Sequence, residues 1–161
     1  MKIKSIIYAF LPGIGNGTRF RIYIRLHEML RKCNSVFLGE CLKAHLQSSY
    51  GCELSRRAVI SPKALFMHTV GVVIGEGVVV EDKVTIYSGV VLGRKNLAID
   101  DDYPIIRKGS ILCAGCKVLG KIVVEEDTVI GAGAVVTSSC IPRGGTYVGI
   151  PARRLEIRNG E

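Results

Sequence analysis

Three histidines and six cysteines are the side chains best suited to chemistry in this 161-residue chain, and their placement restricts what that chemistry can be. An imidazole titrates near neutrality, so it can take a proton from a hydroxyl or ligate a metal. His27 and His45 fall in a stretch with helical periodicity and read as structural or solvated. His68 falls where a later repeat breaks phase, at a position that faces outward. Cys113-x-x-Cys116 has the form of half a zinc or redox motif, but zinc takes four ligands and no second pair of suitable spacing follows. Cys116 also coincides with a small interior position of the repeat, where a thiol is a compact filler. Asp100, Asp101 and Asp102 are adjacent carboxylates of the kind a solvated loop carries, and no resident metal is expected. Neither common glycine-rich phosphate loop occurs.

The formal net charge is +8. Arg19, Arg21, Arg25, Arg31 and Lys32 gather near the start, and Arg153, Arg154 and Arg158 near the end. Such runs are usually solvated faces that favour anionic partners. Without a recognisable motif they do not predict nucleic-acid binding. The apolar run in residues 6–11, behind Lys2 and Lys4, is too short to span a bilayer and lacks a small-residue cleavage site. The expected location is therefore the cytoplasm, with Cys33, Cys41, Cys52, Cys113, Cys116 and Cys140 as free thiols. The inner membrane surface is the alternative.

The elements that must position these groups show in a six-residue period. Aliphatic residues fall at Ile74, Val80, Ile86 and Leu92, then at Ile106, Leu112, Val118, Val124, Ile130 and Val136. Four positions on stand Val78, Val84 and Val90, then Ser110, Cys116, Ile122, Thr128 and Ala134, all small or β-branched. Hexapeptides of this kind are a short strand plus a tight turn, three to a triangular coil, with the aliphatic residue inside. The fold expected is mainly β: a left-handed parallel β-helix of hexapeptide repeats with a short N-terminal α-helical cap. Glycine recurs too often for helix, and turns every six residues are too close for an antiparallel sandwich. Nineteen glycines against five prolines, with 48% hydrophobic residues, exclude collagen and disorder.

Two phase breaks stand out. Phe66 to Ile74 is eight residues, and Leu92 to Ile106 is fourteen. The second reads as a loop, residues 94–103, ejected from the coil; such insertions often mark the binding face. Residues 18–32 carry an apolar helical face ringed by arginines, and a second helix is expected over 37–48. The predicted organisation is a helical cap over residues 1–50, the β-helix over 51–141, and an extension over 142–161 that leaves the repeat. A basic amphipathic helix could instead make peripheral membrane contact.

The run His68-Thr69-Val70-Gly71, the segment from Tyr103-Pro104 to Leu119-Gly120, and the ending Val148-Gly149-Ile150-Pro151-Ala152-Arg153 resemble the bacterial serine acetyltransferases. They resemble still more the short colanic-acid-type O-acetyltransferases of exopolysaccharide clusters. The likeness covers roughly residues 50–155. It implies an acyl-CoA-dependent O-acyltransferase in which His68 is the general base and Glu53, fifteen residues earlier, orients it. It implies a groove between subunits of a homotrimer, with acetyl-CoA as donor. Gly93, Arg94 and Ala114 would lie along the pantetheine arm, and Gly149, Arg153 and Arg154 near the nucleotide end. The serine enzymes carry an Arg–His pair before the loop's closing proline, where this chain has Asp102 and Tyr103, and an acid before the histidine, where it has Met67. Exchanging a cation for an anion disfavours a carboxylate-bearing acceptor. The acceptor expected is therefore a sugar hydroxyl in surface or exopolysaccharide biosynthesis, held by Asp102, Tyr103 and Met67. L-serine is the alternative acceptor, and a non-catalytic scaffold the alternative in kind.

Overall fold

The computed structural model describes residues 16–137 and 141–156. The apolar run at 6–11, Cys140, Arg158 and the side chain of Arg19 lie outside the described residues. Helices α1 (Asn16–Lys32) and α2 (Val36–Tyr50) precede the strands β1 (Glu53–Leu54), β2 (Val59–Ile60), β3 (Leu65–Phe66), β4 (Val73–Ile74), β5 (Val79–Val80), β6 (Thr85–Ile86) and β7 (Val91–Gly93). After the ejected loop come β8 (Ile105–Ile106), β9 (Ile111–Leu112), β10 (Lys117–Leu119), β11 (Val123–Val124), β12 (Val129–Ile130), β13 (Val135–Val136), β14 (Thr146–Val148) and β15 (Arg153–Arg154).

Successive strands go to successive faces of a prism. Strands β1, β4, β7, β10 and β13 form one parallel face, and β2, β5, β8 and β11 the second. The third runs β3, β6, β9, β12, β14 and β15, with only β15 antiparallel. This is the left-handed β-helix that the period predicts. Each strand is so short because one aliphatic side chain suffices to fill its side of the narrow interior. Ile74 lies beside Leu92 and Leu92 beside Val118 in register, and all three are fully buried. The residues four positions on, from Val78 to Ala134, are buried as well. Main-chain groups pair with the coils on either side, as in Val73 N–H to Val90 O and Val91 N–H to Cys116 O, at 2.9 and 3.0 Å.

The turns explain the glycines. Gly71, Gly89 and Gly115 stack at one edge with φ near +70°, where an L side chain is strained, and a Cβ on Gly71 would press the Cα of Gly89 at 3.3 Å.

At the N-terminal end the cap closes the prism. Phe20, Tyr23, Ile24, His27 and Leu30 recur at helical spacing and are buried. Phe20 meets the ring of Phe66 edge-on at 4.8 Å, and α2 turns into β1 through Gly51, whose left-handed φ of 61° ends the helix. Most of the apolar face described for α1 is thus spent on the coil, with Met29 left exposed. Among the described residues no helix is long and apolar enough to cross one.

The C-terminal expectation is corrected. The coil does not end at residue 141: Ile141 bridges to Val124, and β14 pairs in parallel with β12, with Tyr147 buried as the next interior residue. Only after Val148 does the chain turn back.

Candidate functional site

The prism has three edges, and the chemistry-bearing residues divide between two of them. The first edge joins the β3 face to the β4 face. His68 stands there, in the turn between those strands, exposed, with its ring 6.3 Å from that of Tyr87 one coil on. Thr69 Oγ1 donates to Tyr50 O at 3.0 Å, and Gly71 N–H to Gly51 O at 2.8 Å, so the turn is fastened to the end of α2. No hydrogen bond among the described residues engages the His68 imidazole, which leaves its nitrogens open to a hydroxyl. Ala114, exposed, and Gly149 occupy later turns of the same edge.

Glu53 sits in β1, its backbone in register with Val73. Its carboxylate does not hydrogen-bond His68; Oε1 pairs with Lys43 Nζ of α2 at 2.8 Å. That bond raises the Lys43 ammonium above its ordinary value. Met67 is exposed beside His68.

The second edge joins the β7 face to the β8 face and carries the ejected loop, with Gly93, Arg94, Asp102 and Tyr103. Here the structure changes the reading of Asp102. Its side chain is buried, and it accepts three main-chain bonds: Oδ2 from Lys95 and Asn96 N–H at 2.9 and 2.7 Å, Oδ1 from Lys121 N–H at 2.8 Å. Hydrogen bonds to the charged form, led by that from Asn96, hold the carboxyl below the usual carboxylate range. Asp102 therefore clamps the loop to the next coil, and acceptor hydroxyls would find its oxygens already engaged. Three N–H dipoles also point at its charge, which weakens the repulsion it would exert on an acceptor carboxylate.

Tyr103 lies flat on the coil at Gly75 and Gly77, where a Cβ on Gly77 would fall on its ring. The guanidinium of Arg94 stands 5.3 Å from the ring centroid, and no carboxylate among the described residues pairs with it. This cation, placed beside the loop, was expected to face pantetheine.

Arg153 and Arg154 form β15, both exposed, with Arg154 lying against Gly145. Cys116 is buried in the interior, its thiol pushed up to about 12 by burial. Among the described residues no group of three or more His, Cys, Asp or Glu could hold a metal.

No family model matches the chain. It is, however, 37% identical over 131 residues to the serine acetyltransferase of Helicobacter pylori, a match covering 81% of this chain and 76% of that one. The chain belongs to the serine acetyltransferase family. Against the serine acetyltransferase of Buchnera aphidicola it is 34% identical over 146 residues, 89% of this chain and 51% of the other, so it spans about half the length of the longer relatives. Among solved structures, a truncated serine acetyltransferase apoenzyme superposes with a TM-score of 0.81 at 30% identity, covering 88% of this chain and 59% of that one. A serine acetyltransferase in complex with CoA superposes with a TM-score of 0.79 at 31% identity, covering 89% and 58%. All four are named for serine, so the narrower likeness to exopolysaccharide enzymes gains no support from them.

Proposed function

We propose that this member of the serine acetyltransferase family is an acetyl-CoA-dependent O-acetyltransferase with L-serine as its acceptor, working as a homotrimer. One observation carries the reading: an exposed, unengaged imidazole at one prism edge and a clamped, cation-bearing loop at another, in a chain with 37% identity to a serine acetyltransferase. His68 and the loop stand on different edges of one chain, so a site that uses both needs an edge from a neighbouring copy.

In the reaction, His68 takes the acceptor's hydroxyl proton as the oxygen attacks the thioester carbonyl of acetyl-CoA. The tetrahedral oxyanion is held by main-chain N–H groups of the coil. Its collapse expels the CoA thiolate, which receives the proton from the imidazolium. Glu53 is the positioning carboxylate: Lys43 occupies Oε1, and Oε2 is left to accept from the imidazole and stabilise its charge. Arg94 supplies the cation that a serine carboxylate needs, in place of the arginine the loop lacks at position 102. Arg153 and Arg154, with Gly149 and Ala114, would meet the phosphates and the arm of CoA.

A sugar hydroxyl is the second reading, favoured by Tyr103, whose hydroxyl and ring suit a neutral polyol. Acetyl-CoA is offered with L-serine and, separately, with a sugar panel while thiol release is followed. Turnover on serine supports the first reading, and turnover on sugars alone the second. Release with neither overturns both and leaves a scaffold. His68→Ala should slow the productive reaction about 10²–10⁴-fold, while CoA binding measured by calorimetry persists.

A further inference from the structure

The turn between α1 and α2 carries a feature that neither cap packing nor acetyl transfer uses. Val36, Phe37 and Leu38 open α2 in succession, and they are 54%, 76% and 52% exposed. Three large apolar side chains side by side on a turn are unlike the scattered apolar residues of an ordinary surface. No fold requirement places them there. The core side of α2 is supplied by Gly39, Leu42 and Leu46, which are buried. Lys32, Cys33 and Asn34 are exposed too, with Ser35 half-buried between them and the apolar residues.

The helical cap that carries the turn is basic as a whole. Residues 16–57 hold eight Arg or Lys against three Glu, a surplus of five within a chain whose net charge is +8. The acids near the turn are already engaged. Glu28 pairs with Arg31 at 2.7 Å and loosely with Lys32 at 3.9 Å, and Glu40 faces Arg56 at 3.8 Å. Arg56 also reaches Asn34 Oδ1 at 3.4 Å, so cations flank the apolar tip on both sides.

An apolar tip on a basic cap matches an interface with apolar depth and anionic headgroups. A second copy of the chain fits less well, because two such tips bring like charges together. Three side chains on a turn also fall well short of the roughly 800 Å² per partner of a stable protein interface. We infer that the α1–α2 turn docks the protein peripherally on an anionic phospholipid membrane, with Phe37 and its two neighbours inserted and Lys32 and Arg56 at headgroup level. The contact expected of the amphipathic helix thus moves from α1, whose apolar side is mostly buried, to the start of α2.

The test is flotation of the full chain with vesicles of phosphatidylcholine alone, and of phosphatidylcholine mixed with phosphatidylglycerol. Binding to the mixed vesicles only, weakened by high salt, is expected. The double variant Phe37→Ser, Leu38→Ser should lower partitioning about tenfold or more, and Lys32→Ser about fivefold. Both variants alter exposed side chains, and circular dichroism should match the parent. Phe37→Ala serves as a milder second probe, expected to fall between parent and double variant. No flotation with the mixed vesicles overturns the inference, as does flotation that all variants retain. If the parent does not float and sedimentation shows the double variant alone losing a higher oligomer, the patch joins copies of the chain and the lipid assignment is wrong.

Discussion

His27 offers a measurement in which burial, hydrogen bonding and protonation can be separated. The ring is 5% exposed, wedged between α1 and the first coil. Nε2 lies 3.0 Å from Ser55 O and donates to it, which leaves Nδ1 as a bare lone pair, buried and without a partner. Replacing His27 by Leu keeps similar bulk and removes that orphan, a gain of about 1–3 kcal/mol, while giving up one neutral hydrogen bond of about 1 kcal/mol. Ser55 O is not stranded, because Ala58 N–H also donates to it at 3.0 Å. The balance at pH 8 lies between neutral and about 2 kcal/mol in favour of the variant. Acid separates the two proteins further. Desolvation is the largest influence on the imidazole and pushes it below its ordinary value of 6.5, against smaller opposing contributions from the Ser55 bond and Glu28. The unfolded chain therefore binds more protons than the folded one between those two values. His27 costs no stability through protonation above the ordinary value, and stability drains away as pH falls below it, at up to ~1.4 kcal/mol per pH unit until the folded value is passed. Urea unfolding of both proteins at pH 8 and pH 5 measures this, and the difference between the two pH responses isolates His27 from the other histidines. Parallel responses, or a variant more than about 2 kcal/mol weaker at pH 8, would refute the reasoning.

Gly77→Ala places a methyl group where the Tyr103 ring rests; the fold should survive by circular dichroism while the KM for the acceptor rises more than that for acetyl-CoA. Leu112→Ala, at a fully buried position between Ile86 and Ile130 in register, should cost about 2–5 kcal/mol in urea unfolding, since the stacked coils cannot collapse into the void. Lys43→Met frees Glu53 Oε1 from its ion pair and should change kcat more than the KM for acetyl-CoA, with little change in melting temperature, because half-exposed pairs contribute no more than about 1 kcal/mol.

The prism was legible because its rule is repeated. Interior positions from Ile74 to Leu92, and again from Ile106 to Val136, obey one spacing, and all are buried. The last coil was missed because Val136 to Ile141 is one residue short of the period, and because Pro142, Gly144 and Gly145 look like a terminus. Yet Ile141 to Tyr147 is again six, and that spacing was the available signal. The place of His68 and of the ejected loop followed from the two phase breaks. Their separation onto different edges is implicit in counting three strands per coil. The role of Asp102 was out of reach, because its partners are main-chain N–H groups, one of them nineteen residues away on another coil. The Lys43–Glu53 pair was hidden for a similar reason: it depends on how α2 docks, which periodicity does not specify.

Asp102 grips the loop at its own base through Lys95 and Asn96 and grips the neighbouring coil through Lys121. Both feet of the excursion are thereby fixed by one side chain, using only backbone groups that any sequence would offer. The residues between the feet can be exchanged without disturbing a single strand pairing. Such a chain can change its customer while keeping its frame, and relatives that agree coil for coil can differ in what they modify.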